Sequence, residues 1–204
     1  ITLFTYYNLW LTHQAHKGGL LDPENMTKAY FWKVLGRYHQ PEDYKKLMDT
    51  DEYFEGVRKD VREIAFFDFE ADSTIHSCDY PPLDGIRSLC LDQEHPYSAE
   101  YSMQLLPGDA TWVRISFKAW APHKEWDLWK MTQLLVRFYR NDQKVKENYI
   151  RIQRFLNDQQ EVLLFMDVKI PRGDFNRMSF LFWNVNSDRQ LVLDDIKVET
   201  FNAQ

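Results

Sequence analysis

The stretch "LVLDDIKVETF", Leu191 to Phe201, decides how the chain is read. Its apolar and polar residues alternate like a β-strand, yet two aspartates stand side by side in the middle. Neighbouring side chains on a regular strand point to opposite faces. Asp195 is therefore expected with Leu191, Leu193 and Lys197, and Asp194 with Val192, Ile196 and Val198 on a core face. A carboxylate on a core face is costly unless it is paired or bound to a metal.

The same period-two pattern recurs upstream. In "WVRISFKAWA", Val113, Ile115, Phe117 and Ala119 alternate with Trp112, Arg114, Ser116, Lys118 and Trp120. "EVLLFMDVKI" places Val162, Leu164, Met166, Val168 and Ile170 on one face, and "RMSFLFWNV" leads through the turn "NSDRQ" to the closing strand. Regularly spaced strands with polar turns predict a mostly β chain, a β-sandwich, from about Ala65 onward. Residues 1–64 read differently, as short helices expected to pack on the sandwich. Pro23 and Pro41 mark helix starts, Gly36 ends the helix containing "MTKAYFWKVL", and a third helix begins at Thr50. Phe54, Val57, Val61 and Ile64 follow at helical spacing. The expected domains are thus a helical segment, 1–64, and a sandwich, 65–204.

Composition sets the outer limits. The 204 residues are 44% hydrophobic and 16% aromatic, which supplies a substantial core and argues against disorder. A net charge of -6 argues against a nucleic-acid partner, because phosphate contacts need an excess of Lys and Arg. The longest apolar run, "LFTYYNLWL" at Leu3 to Leu11, is about half of the ~20 residues a membrane helix needs. Ile1 is expected to begin inside a longer gene product or after a cleaved leader.

Catalytic signatures are missing: there is no Gly-x-Ser-x-Gly elbow, no Gly-rich phosphate loop and no His-Glu-x-x-His helix. His76, Cys78, Cys90 and His95 lie at a distance that could complete a zinc set, but the spacing matches no strong motif. A Cys78–Cys90 disulfide, or two buried thiols, is the favoured reading. The basic run "VRFYRNDQKVKENYIRIQRF" suits an anionic ligand or, better, a hairpin with a basic solvent face turning at "NDQK". Trp120, Trp126, Trp129 and Trp183 form the candidate ligand surface, since sugars stack on flat aromatic faces. The competing reading buries these indoles beneath the helices.

The succession "FDFEAD", "DGIRSLCLD", "YSAEYSMQLLPG", "WVRISFKAWAP", "VLLFMDVKIP" and "FLFWNVNSDRQLVLDDIKVETF" resembles the galactose-binding-like jelly roll, the fold of many carbohydrate-binding modules. The resemblance covers roughly Ala65 to Phe201. "LLDPENMTKAYFWKVLGRYHQPEDYKKLM" is similar to a segment following the transmembrane helices of bacterial membrane proteins related to lipid-carrier-dependent glycosyltransferases. Together these imply a non-catalytic, extracytoplasmic (periplasmic) accessory domain, tethered by an upstream membrane region and contacting a glycan or lipid-linked sugar. The jelly-roll resemblance also implies a structural calcium ion held by Glu70 and Asp194, with Asp68 in reserve. Alternative readings are a carbohydrate-binding module of a secreted glycan-active protein, a purely structural or protein-interaction domain, and an enzyme with convergent carboxylates.

Overall fold

The computed structural model describes residues 2–14, 28–39, 49, 52, 54–105, 108 and 110–203. The chain divides into two compact units, Ile1–Asp51 and Glu52–Gln204. The first carries helices α1 (Thr2–His13) and α2 (Lys28–Val34). Trp10 is fully buried there, and its indole N–H donates to the carbonyl of Arg37 at 2.6 Å. Gly36 ends α2 as expected: its φ of +77° is a left-handed turn that a side chain would strain. The helix starts expected at Pro23, Pro41 and Thr50 lie outside the described residues. No helix among the described residues is long and apolar enough to cross a membrane.

The second unit is a mostly β, jelly-roll sandwich of two antiparallel sheets. Its strands are β1 (Arg58–Phe67), β2 (Leu89–Leu91), β3 (Tyr101–Gln104), β4 (Trp112–Trp120), β5 (Gln133–Arg140), β6 (Gln143–Arg151), β7 (Val162–Lys169), β8 (Arg177–Trp183) and β9 (Leu191–Ala203). One sheet runs β1-β9-β4-β7 with β2 also on β9, and the other runs β3-β8-β5-β6. The alternation read in β4 holds: Val113, Ile115, Phe117 and Ala119 are buried between the sheets. They meet Leu134, Val136 and Phe138 of β5 and Met178, Phe180 and Phe182 of β8 in one core. The basic run forms the expected hairpin β5–β6, turned by Asn141 and Asp142, both at positive φ. Its cations meet carboxylates, Arg137 with Glu147 at 2.6 Å and Lys144 with Glu147 at 2.9 Å.

Two expectations are corrected. Residues 58–64 are not helical, because β1 already begins at Arg58 and pairs with β9. Its register slips between Lys59 and Arg62 and again between Glu63 and Ala65, with Asp60 at φ 52°. Such irregularities insert residues into the two-residue period, so the apolar spacing imitates a helix. The second correction concerns the aspartates. Asp195 adopts φ 47°, and the β4–β9 register shifts beside it, so β9 carries a bulge there. Leu191 and Leu193 face the core before the bulge, and Ile196 and Val198 after it. Asp194 therefore lies on the outer face of the sheet, and an overlying loop, not the core, buries it.

Candidate functional site

The resemblance implies a calcium ion held by Glu70 and Asp194, with Asp68 in reserve. Asp194 is only 1% exposed. Its Oδ2 accepts hydrogen bonds from Ser88 Oγ at 2.6 Å and from the Asp84 amide at 3.2 Å, and its Oδ1 accepts from the Asp195 amide at 2.8 Å. Burial pushes this carboxyl above its ordinary range, the three hydrogen bonds pull it back only in part, and the neighbouring Asp195 charge adds to the rise. Glu70 grips the same loop, with both oxygens 3.0 Å from the Ile86 amide. Gly85, at φ +55°, leaves room for it: a Cβ there would lie 1.8 Å from Glu70 Oε1. Asp68 instead accepts the Glu70 amide at 3.2 Å.

Among the described residues, the oxygens of Asp68, Glu70 and Asp194 do not form a group of three close enough to share an ion. Glu70 and Asp194 spend their oxygens on loop amides and a hydroxyl in this arrangement. Loop amides and a hydroxyl supply the positive partners instead. Beside them Lys118 Nζ sits 2.8 Å from both Asp84 and Asp195, which raises its pKa.

The four candidate tryptophans divide between the two sides of the sandwich. Trp120 points outward from the β4 sheet, half-buried, with the Tyr80 ring 5.0 Å away. Trp183 points outward from the opposite sheet. Cross-strand pairing sets it in one row with Gln133 and Arg151, spanning about 10 Å over three strands. Tyr97, which sequence reading missed, stacks on Trp183 with centroids 5.9 Å apart and planes within 9°. Tyr97 is 59% exposed. At the other end of the row, Arg151 lies 5.7 Å from the Trp129 ring and 5.2 Å from Tyr149. Trp129 is 45% exposed and Trp126 73%. Both belong to the β4–β5 connection, which carries the chain from one sheet to the other. Trp129 and Trp183 thus stand at the two ends of one row, Trp126 lies three residues before Trp129 in the same connection, and Trp120 faces out from the other sheet.

A buried polar network fixes that connection. Glu125 accepts Ser187 Oγ at 2.6 Å and the Asp127 amide at 2.8 Å, and Asp127 accepts the Trp129 amide at 3.0 Å. Ser187 is tied back to β8 through Asn184, whose side-chain amide donates to its carbonyl at 3.2 Å. Asn184 also faces Thr132, which takes a 2.8 Å hydrogen bond from Gln153. Lys124 Nζ is held by the Leu156 carbonyl at 2.6 Å and stands 4.8 Å from the Trp126 ring centroid. An exposed indole on a fixed backbone offers a flat apolar face at small entropic cost. Of the polar groups beside these faces, Gln133 is half-buried, whereas Arg151 and Lys124 are buried and brace the rings from within.

The cysteines are not zinc ligands, because Cys78 and Cys90 are joined by a disulfide.

No protein-family model matches the sequence, and no curated protein does either. Solved structures similar to the chain include a family 35 carbohydrate-binding module from an environmental isolate, at 14% identity and TM-score 0.36, covering 69% of this chain and 99% of that one. A family 4 carbohydrate-binding module is similar at 13% identity and TM-score 0.30, over 50% of this chain and 60% of that one. A glycosylation-associated protein complex from Streptococcus agalactiae matches at 14% identity and TM-score 0.39, over 69% of this chain and 44% of the other. The chain spans less than two thirds of the length of the latter two.

Proposed function

We propose that the sandwich is a non-catalytic glycan-binding domain whose sugar surface is Trp126, Trp129, Trp183 and Tyr97. The observation that carries this reading is the arrangement of flat aromatic faces, three of them well exposed, on a backbone pinned by buried hydrogen bonds. A row of Gln133 and Arg151 runs between the Tyr97–Trp183 stack and Trp129. Aromatic faces hold the apolar face of a sugar, and Gln133, half-buried between them, is the polar group placed to meet its hydroxyls, while Arg151 is buried. Ionic groups on the same face are tied to one another, as Arg137 is to Glu147, which suits binding better than acid–base chemistry.

The domain is proposed to work outside the cytoplasm, as an accessory to a glycosyltransferase-like membrane protein that presents a lipid-linked sugar. The Cys78–Cys90 disulfide supports an oxidising compartment. The upstream membrane region rests on the sequence resemblance of the helical segment. A calcium ion on Glu70, Asp194 and Asp68 also remains a proposal of resemblance, and it requires those carboxylates to release loop amides.

A glycan array tests the binding site, with Trp126→Ala, Trp183→Ala and Trp120→Ala variants alongside the unaltered chain. Saturable binding lost in Trp126→Ala and Trp183→Ala but retained in Trp120→Ala is expected. Binding that needs only Trp120 would move the site to the other sheet. No binding to any glycan by the folded chain would overturn the proposal.

A further inference from the structure

The segment entering β2 and the turn leaving it bring three metal-type donors together, His95 standing two residues before Tyr97 of the aromatic surface. His76 Nε2 lies 2.9 Å from Asp92 Oδ2, and His95 Nδ1 lies 3.3 Å from Asp92 Oδ1. The two imidazoles stack with centroids 3.7 Å apart and planes at 19°. Among the described residues this is the one group of three His, Cys, Asp or Glu side chains whose donor atoms all lie within 4.8 Å of one another. The side chains of His76 and His95 are 31% and 49% exposed, so the group opens to solvent on one side.

The backbone carrying these donors is fixed without any ion. The disulfide ties the His76 segment to β2, and the Cys90 amide donates to the His76 carbonyl at 2.8 Å. Beyond β2, Asp92 Oδ1 accepts the amides of Glu94 at 2.9 Å and His95 at 2.6 Å, closing a tight turn. Oδ2 has His76 as its hydrogen-bond partner and points into the cluster.

We propose that His76, Asp92 and His95 form a binding site for a divalent transition ion of the zinc class, through His76 Nε2, Asp92 Oδ2 and His95 Nδ1, with water completing the coordination. Bonds of about 2.0–2.1 Å in tetrahedral geometry place donors roughly 3.3 Å apart. The 2.9 Å between His76 Nε2 and Asp92 Oδ2 then needs to open by only a few tenths of an ångström, and all three residues offer donor atoms within 4.8 Å of one another, so rotation of the side chains closes the set. Two imidazoles with one carboxylate select zinc, nickel or copper over calcium and magnesium, which want oxygen donors. The amides on Oδ1 are the outer hydrogen bonds that orient a ligating carboxylate. No thiol takes part, since Cys78 and Cys90 are joined to each other.

The test uses the full chain, stripped with EDTA and dialysed with its disulfide intact. Zinc is titrated by calorimetry, cobalt by its visible d–d absorption, and the histidine ring signals are followed by NMR. One equivalent is expected, with a tetrahedral cobalt spectrum and joint movement of the His76 and His95 rings while the other histidines stay still. His76→Ala and His95→Ala are each expected to weaken binding by at least about tenfold. The ring signals of the unaltered chain decide the matter even where a variant disturbs the loop. No uptake, uptake that leaves both rings unmoved, or full affinity in a folded His76→Ala/His95→Ala double variant would overturn the proposal.

Discussion

Ser88→Ala tests whether hydrogen bonds, and not an ion, support the buried Asp194. Ser88 Oγ donates to Asp194 Oδ2 at 2.6 Å and accepts from the Leu83 amide at 2.8 Å, so one deletion strands two groups. A hydrogen bond to a charged group is worth about 1.5–3 kcal/mol, and an unsatisfied buried amide costs about 1–3 kcal/mol. The expected loss is therefore about 3–5 kcal/mol at pH 7. The pH dependence follows from the raised Asp194 pKa. The folded state holds this proton more tightly than the unfolded chain, so the group's contribution is fully present below its unfolded pKa and is lost as pH rises through its folded value. Removing Ser88 raises the folded value further. The variant's deficit is thus largest at neutral pH and shrinks on acidification toward the part due to Leu83. Urea unfolding of both proteins, followed by the far-ultraviolet strand signal at neutral and mildly acidic pH, measures this. A deficit below about 1 kcal/mol at pH 7, or one that is unchanged by acid, would refute the reasoning. Repeating the series in calcium and in EDTA separates the alternatives, since an ion on Asp194 would make the deficit depend on calcium.

Other outcomes follow from the same geometry. Glu125→Ala strands Ser187 Oγ and the Asp127 amide beneath the tryptophan loop and is expected to cost about 2–4 kcal/mol in loop order. Glycan affinity should fall in that variant, whereas Glu125→Gln keeps one acceptor oxygen and should retain most of it in calorimetric titration. Asp167→Ala removes the fully buried carboxylate that Arg114 grips at 2.7 and 2.8 Å, for an expected loss of about 3–5 kcal/mol in urea unfolding. Gly85→Ala places a methyl group on Glu70 Oε1 at a positive φ, so the thermal midpoint should drop, and Glu70→Ala in the same chain should restore part of it.

The core was legible because β4 and its partners keep an unbroken two-residue period, which burial between two sheets imposes on sequence. β1 was not, because it is mostly solvent-exposed and twice irregular, so nothing enforces alternation along it. The aspartate pair shows the same physics from the other side. "LDDI" was correctly singled out as unusual, but a rule of strict alternation placed Asp194 on the wrong face. The left-handed conformation of Asp195 inserts one residue and lets Leu193 and Ile196 both reach the core. At the aromatic surface the tryptophans were visible as residue types, while their grouping depends on crossings between sheets that local pattern does not encode. Tyr97 lies in a loop and meets Trp183 only through a single bridge, so no periodicity marked it. The network of Glu125, Ser187, Asn184 and Thr132 was equally silent, since Ser187 stands 62 residues from Glu125 and Asn184 52 from Thr132, and only the folding of loops onto β8 brings them together. Where a bulge or a loop decides which side chains meet, residue type gives the chemistry and only the folded chain gives the partner. This is why the two-residue period of a sheet predicts the core well here and the ligand surface poorly: the first is written strand by strand, the second between strands.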